Sequence, residues 1–364
     1  MGLKVDTIQN PSSATVNLTL DTNGNATVGN NLTVAGTQTT TGTVVMGSSF
    51  LRNRLINGNM YVAQRATSAT VTAGTTVPTI STGYPCVDRW FVYSVGANVT
   101  AAQVAGATNN KNLLQVTGAA SVTAVGIGQR IEQLNSYDLA GQTCTLSVNI
   151  ANSLLTTVTW TASYATTTAD TFGTIGTPTK TQIATGTFTV TATLTQYTVN
   201  IAVPAAATTG LEILFTVGAQ TSGTWQIGNA QFEVGSVATP FERQIYSNQL
   251  AQCQRYYYRN TAPSTGTLLT TSGICQSTTS AIGMTQFPVT MRAAPTALEQ
   301  SGTAAHYQVF VSSNVACNAV PTFLAANVWY ATTTATAASG LSANLPFWVT
   351  AANTAAYLGW SAEL

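Results

Sequence analysis

Charge is what this chain has least of. Only 6% of its 364 residues are Asp, Glu, Lys or Arg, against roughly 25% in an ordinary soluble protein. The formal net charge is +1 and the 12 basic residues are scattered. No clustered basic patch exists to displace counterions from a phosphate backbone, which excludes nucleic acid as a partner. Long apolar runs are also missing. The mean hydropathy of +0.18 comes from Ala and Val interleaved with Thr, and nothing approaches the roughly 20 apolar residues of a membrane span. No membrane insertion is expected. Met1-Gly2-Leu3-Lys4-Val5-Asp6 lacks the apolar segment of a signal peptide, which predicts no secretory export. The Asn-x-Thr sites at Asn17, Asn25, Asn31 and Asn98 follow from composition and carry no weight.

Catalytic groups are equally scarce. The one histidine, His306, stands in Ala304-Ala305-His306-Tyr307 and reads as a packed residue beside an aromatic rather than as a base. Five cysteines are widely spaced without a CxxC. They read as small buried hydrophobes in a reducing cytosol, and no Cys/His cluster has zinc-ligand spacing. GxSxG, HExxH, GxGxxG and Walker-type loops are absent. No cofactor and no catalytic residue are expected.

What is present is strand pattern. The chain is 45% hydrophobic, enough for a substantial core. Stretches such as Thr145-Leu146-Ser147-Val148-Asn149-Ile150 and Tyr197-Thr198-Val199-Asn200-Ile201 alternate with period 2, one side facing a core and the other solvent. Many short strands cut by Gly, Asn and Pro predict an all-β protein of sandwiches or barrels. Residues 1–50 differ, with single apolar residues between Gly and Asn turns and no aromatic between Leu18 and Val45. Such a segment cannot build its own core. Val28 and Val34 sit in similar settings, which hints at a degenerate repeat. The stretch reads either as an attachment and shaft segment wound with two other chains or as a flexible Thr/Gly linker. Residues 51–245 have the size of one jelly-roll sandwich, and 246–364 read as a C-terminal β domain opening with a short helix. In that helix Ser247 is the expected cap, with Leu250, Cys253 and Tyr257 as a narrow apolar stripe. The stripe fits docking on a sheet or a three-fold seam.

Glycoside hydrolysis needs two carboxyl groups roughly 5 to 9.5 Å apart, and 11 acidic residues could supply them. Asp88, Glu132 and Glu242 each lie one or two residues from an arginine, as expected of carboxylates paired for stability. Arg130 and Glu132, two apart, would share a strand face and pair across to Glu233 or Arg243. Pro240 is expected to stop the last sandwich strand, and Gly235 to permit a bulge or turn. Neutral glycan binding suits the residue stock better, since flat aromatic faces with Asn, Gln and Thr partners need no formal charge. The C-terminal block offers Trp329, Tyr330, Phe347, Trp348, Tyr357 and Trp360. Each Trp is individually more expected in a core. A Trp-Tyr pair on a strand presents opposite faces, so one of Trp329 and Tyr330 should point outward. Trp329, Tyr330 and Trp348 are the candidate ligand contacts.

Several motifs resemble a known family. Arg54-Leu55-Ile56-Asn57-Gly58-Asn59-Met60 followed by Ala63-Gln64-Arg65, then Tyr84-Pro85-Cys86-Val87-Asp88-Arg89-Trp90-Phe91, resemble the opening of a domain of phage tail-fibre and appendage proteins. Gln129-Arg130-Ile131-Glu132 and Leu139-Ala140-Gly141-Gln142-Thr143 are similar to further elements of it. The longest match is Asn229-Ala230-Gln231-Phe232-Glu233-Val234-Gly235-Ser236-Val237-Ala238-Thr239-Pro240-Phe241-Glu242-Arg243 with Cys253-Gln254-Arg255-Tyr256-Tyr257. Phe287 to Pro295 and the closing Ser361-Ala362-Glu363-Leu364 resemble the ending of the tip domain, and Leu3 to Pro11 is similar to the start of structural proteins of cyanobacterial phages.

The resemblance implies a jelly-roll like those of carbohydrate-binding modules, a homotrimer on the virion assembled in the host cytoplasm, and an outward C-terminal tip. It makes Asn57, Asp88, Arg89, Trp90, Glu132, Glu233, Pro240, Glu242 and Tyr257 structural motif residues. Residues 1–50 would attach to a baseplate, tail or capsid protein, and the tip to a host-surface glycan. The alternatives are a head- or neck-mounted decoration fibre and a glycan-degrading tailspike-type enzyme. Some related jelly-rolls hold a structural calcium. Asn57, Asn59 and Asn229 lie in the matching elements but include no acidic ligand, so no metal is expected.

Overall fold

The computed structural model describes residues 7–8, 18–20, 26–28, 51–74, 83–107, 110–174 and 177–364. Val34 and most of the stretch 3–11 lie outside the described residues. The chain divides into two compact units, Met1–Ser49 and Phe50–Leu364. In the first, β1 (Thr7–Ile8), β2 (Leu18–Leu20) and β3 (Ala26–Val28) form an antiparallel sheet in that order, with Ile8 opposite Leu18 and Leu18 opposite Val28. Strands of two or three residues fall below what is independently stable in water.

The second unit opens with a sandwich. Its strands are β4 (Ser68–Val71), β5 (Phe91–Val95), β6 (Val99–Ala105), β7 (Asn112–Thr117), β8 (Ala124–Ile131), β9 (Thr143–Asn152), β10 (Thr157–Ala165), β11 (Lys180–Thr189), β12 (Thr195–Ala202), β13 (Leu211–Val217) and β14 (Thr224–Val234). They make two antiparallel sheets, β11-β10-β13-β8-β5 and β12-β9-β14-β7-β6-β4. Most connections cross from one sheet to the other. This is a jelly-roll β-sandwich, as the alternation predicts.

Its core follows the period of two. Cys144, Leu146, Val148 and Ile150 of β9 meet Val158, Trp160 and Ala162 of β10 and Ile213 and Phe215 of β13. On β14 the inward set changes parity, from Trp225 and Ile227 to Ala230 and Phe232. The β-bulge between Gly228 and Gln231 inserts the residue that resets the phase. The strand ends at Val234, well before Pro240. Gly235, at φ +123°, turns the chain there, so the glycine and not the proline is the stop.

Helix α1 (Tyr246–Gln254) follows, with Ile245 in the capping position and no side-chain cap. Ser247 lies inside the first turn, because the chain leaves its extended conformation earlier than the cap signal indicates. Gln249 and Cys253 are buried and Leu250 only half-buried. Tyr257 is not on the helix. It begins strand β15 (Tyr257–Thr261), where a run of three tyrosines favours extended backbone and pairs with Tyr357–Ser361.

Tyr357–Ser361 also pairs with Glu299–Gln300. A second sheet runs Ser272–Cys275, Ser280–Gln286, Tyr330–Thr336, Thr322–Ala326, and a third Asn314–Ala316, Tyr307–Phe310, Trp348–Ala351. Isolated bridges at Leu268–Thr350 and Ile274–Pro346 join them. A separate core holds Tyr307, Phe347, Val349, Leu358 and Trp360. The five thiols are all buried and unpaired, Cys86 and Cys144 in the first core, Cys275 and Cys317 in the second, and Cys253 on the helix.

Candidate functional site

In the C-terminal sheets the inward positions are taken by Tyr307, Val309, Phe347, Val349, Ala281, Ala331 and Ala335. Alternation then turns Phe310, Trp348, Ile282, Met284 and Tyr330 the other way. Phe310 is opposite Trp348 in register, with ring centroids 6.3 Å apart and planes at 33°. Ile274 bridges Pro346, two residues before Trp348, and pairs with Ile282. These side chains therefore all point away from that core. Phe310 is 37% exposed, Ile274 49% and Tyr330 39%. Their strand neighbours are neutral: Asn314 opposite Phe310, Gln308 opposite Thr350, Thr332 opposite Met284 and Gln286 opposite Tyr330. An aromatic and aliphatic floor edged by amides and hydroxyls suits a flat, uncharged, hydrogen-bonding ligand.

Trp329 departs from the expectation. It stands not on a strand but in the turn before Tyr330–Thr336. Asn327 caps that turn, its Oδ1 accepting the N–H groups of Trp329 at 2.8 Å and Tyr330 at 3.0 Å. Strand alternation does not govern the pair, and both are accessible, Trp329 at 61%. Phe347 and Trp360 are core residues. Phe310 was not singled out by sequence. Its only signal is that Tyr307 and Val309 fill the core from the same short strand, leaving the even positions outside.

The motif residues form something else: a buried joint between the sandwich and the C-terminal sheets. Asn57, at φ +59°, donates to the carbonyls of Val62 and Asp88 and accepts the N–H groups of Tyr61 and Val62. Its amide oxygen has no lone pair left for calcium, and among the described residues no cluster of three His, Cys, Asp or Glu exists. Asn57 therefore offers no oxygen to an ion. Trp90 Nε1 donates to the Asn57 carbonyl at 3.0 Å. The fully buried Asp88 carboxylate accepts from Gln64 N at 2.9 Å and Gln64 Nε2 at 2.6 Å. Burial pushes its pKa up to about 6, against the pull of Arg65.

Arg89, at φ +72°, pairs with Glu363 and lies 3.6 Å above the Tyr256 ring. Arg65 lies 3.5 Å above the Tyr257 ring and 3.6 Å from Glu363. Arg130 donates to the Leu364 oxygen at 2.7 Å, and Arg292 to the carbonyls of Ala362 and Glu363. The segment from Ala362 to Leu364 is thus ringed by guanidinium groups.

Each carboxylate among the described residues is engaged, but not with the arginine beside it in sequence. Glu132 accepts from Arg255 at 2.7 Å and Tyr256 Oη at 2.7 Å, not from Arg243. Arg130 pairs with Glu212 at 2.9 Å, not with Glu233. Glu233 accepts from Thr239 N and Oγ1 and Gln231 Nε2, and Glu242 from the N–H groups of Leu51 and Asn53. Glu299 accepts from Tyr257 Oη, Asp138 from Arg54 and Asp170 from the N–H of Gln133. The partners come from distant elements. Pro240 contributes a carbonyl to Arg52 at 3.3 Å. His306 Nδ1 is spent on Ser301 Oγ at 2.8 Å.

No family model matches the chain, and no curated protein matches it. Among solved structures it is similar to the enzymatically active domain of bacteriophage CBA120 tailspike protein 4, at 18% identity over 50% of this chain and a TM-score of 0.31. The chain spans only 21% of that protein's length. It is also similar to the Family 16 Carbohydrate Binding Module-2, at 16% identity over 36% of this chain and 84% of that one, TM-score 0.27. A third likeness is the CBM22-1 xylan-binding domain of Paenibacillus barcinonensis Xyn10C, at 15% identity over 47% and 94%, TM-score 0.27. Likenesses this distant assign no activity to the chain.

Proposed function

We propose that the chain is a trimeric fibre or appendage protein of a phage virion that attaches to the host surface by binding a neutral glycan on the outer face of its C-terminal domain. The observation that carries this reading is the set of aromatic side chains left outside that domain, Phe310, Trp348, Tyr330 and Trp329, with uncharged amide and hydroxyl neighbours. A pyranose presents C–H groups to such rings and hydroxyls to Gln and Thr, and needs no ion pair. The motifs resembling tail-fibre proteins support the virion role, and the coreless stretch 1–50 supports association with copies of itself. Binding without turnover is supported by the carboxylates of the described residues, each held by the partners named above.

The test is titration of the full chain with neutral oligosaccharides, read by tryptophan fluorescence and calorimetry. Trp348→Ala and Tyr330→Ala should each weaken binding about tenfold, in line with an aromatic contact of about 1.4 kcal/mol. Binding indifferent to both substitutions, or release of reducing sugar, rejects the reading.

A further inference from the structure

A second aromatic cluster lies where the jelly-roll meets helix α1, its side chains unused by the reading above. Tyr61 and Tyr246 set their rings 5.7 Å apart at 56°, and Tyr246 is 52% exposed. Lys111, also exposed, donates from Nζ to Tyr61 Oη at 2.7 Å and sits 4.8 Å from the centre of that ring.

Three features make this more than a surface contact. First, charge is scarce in this chain, and among the described residues Lys111 forms no ion pair with a carboxylate, whereas Lys180 is paired with Glu212. An ammonium group has three donors, and the contact with Tyr61 uses one. Second, the backbone that carries the rings is anchored. The Tyr61 N–H is held by Asn57 Oδ1 at 2.8 Å, and Gln103 Nε2 donates to the carbonyls of Met60 at 2.6 Å and Tyr61 at 3.1 Å. Tyr246 is carried on α1, whose Gln249 and Cys253 are buried. Third, the two rings, tilted at 56°, lie beside a cation with spare donors.

We propose that Tyr61, Tyr246 and Lys111 form a binding site for a carboxylate-bearing sugar, a uronic acid residue of an acidic glycan. The pyranose rests against the Tyr246 ring, and its carboxylate takes the two free N–H groups of Lys111. The site differs in chemistry from the outer face of the C-terminal domain, which has no cation, and either can fail without the other.

The probe is a galacturonic acid oligomer, compared with the same oligomer as its methyl ester, which keeps the shape and removes the charge. The full chain should bind the acid at least tenfold more tightly than the ester at low salt, and the preference should shrink as salt screens it. Lys111→Met should abolish the preference while leaving the melting temperature unchanged, since Lys111 is exposed. Lys111→Arg should keep it. Tyr246→Ala should weaken acid and ester alike, and Trp348→Ala should leave the acid's preference over the ester unchanged. Equal binding of acid and ester, or a preference that survives Lys111→Met, overturns the assignment.

Discussion

Individual residues carry the clearest pH signal. Asp88 has its folded pKa pushed up to about 6 by burial, from an ordinary 3.8. Between those values the folded chain holds a proton that the unfolded chain has released, so stability increases as pH falls from about 6 toward 4. The difference amounts to up to about 3 kcal/mol. Urea midpoints taken from pH 7 down to pH 5 should therefore rise, and Asp88→Asn should flatten that slope. A slope unchanged by the substitution would mean that another group dominates. At this scale the sequence was partly legible. Trp348 and Tyr330 could be nominated from aromatic content and neutral neighbours, but the ion-pair partners could not. Glu132 finds Arg255, 123 positions away, and no local pattern encodes such a distance.

Elements were more legible than residues, because burial imposes a period that composition displays. Where both faces of a strand meet protein, the period blurs: β8 is buried at nearly every position. The helix shows a second limit. A capping signal at Ser247 competed with the onset of helical backbone after Ile245, and the tyrosine run beyond Arg255 preferred strand pairing. The stretch from Tyr357 to Leu364 yields a prediction of its own. Glu363 is 1% exposed and Arg89 equally so. Removing one partner of a buried pair leaves an uncompensated charge and costs about 3–5 kcal/mol. Glu363→Ala should lower unfolding stability by that amount in denaturant titrations, with Glu363→Gln intermediate. A loss below about 1 kcal/mol would mean that water reaches Arg89.

For the whole molecule, the fold class follows from the many short alternating segments, whereas assembly rests on an argument from insufficiency. The strands β1, β2 and β3 are too short to stand alone, so copies of the chain are expected to cover them. Light scattering at micromolar concentration should give three times the chain mass of 37.8 kDa; the mass of a single chain would defeat the trimer. The joint around Glu363 has a further consequence, in time rather than in space. Its contact with Arg89 spans 274 positions, so during synthesis the sandwich emerges long before the residues that neutralise its inner arginines. Until Ser361 to Leu364 are translated, Arg65 and Arg89 must stay hydrated and the sandwich cannot seal. A chain cut short before Ser361 would therefore carry a sandwich complete in sequence yet still open at one end.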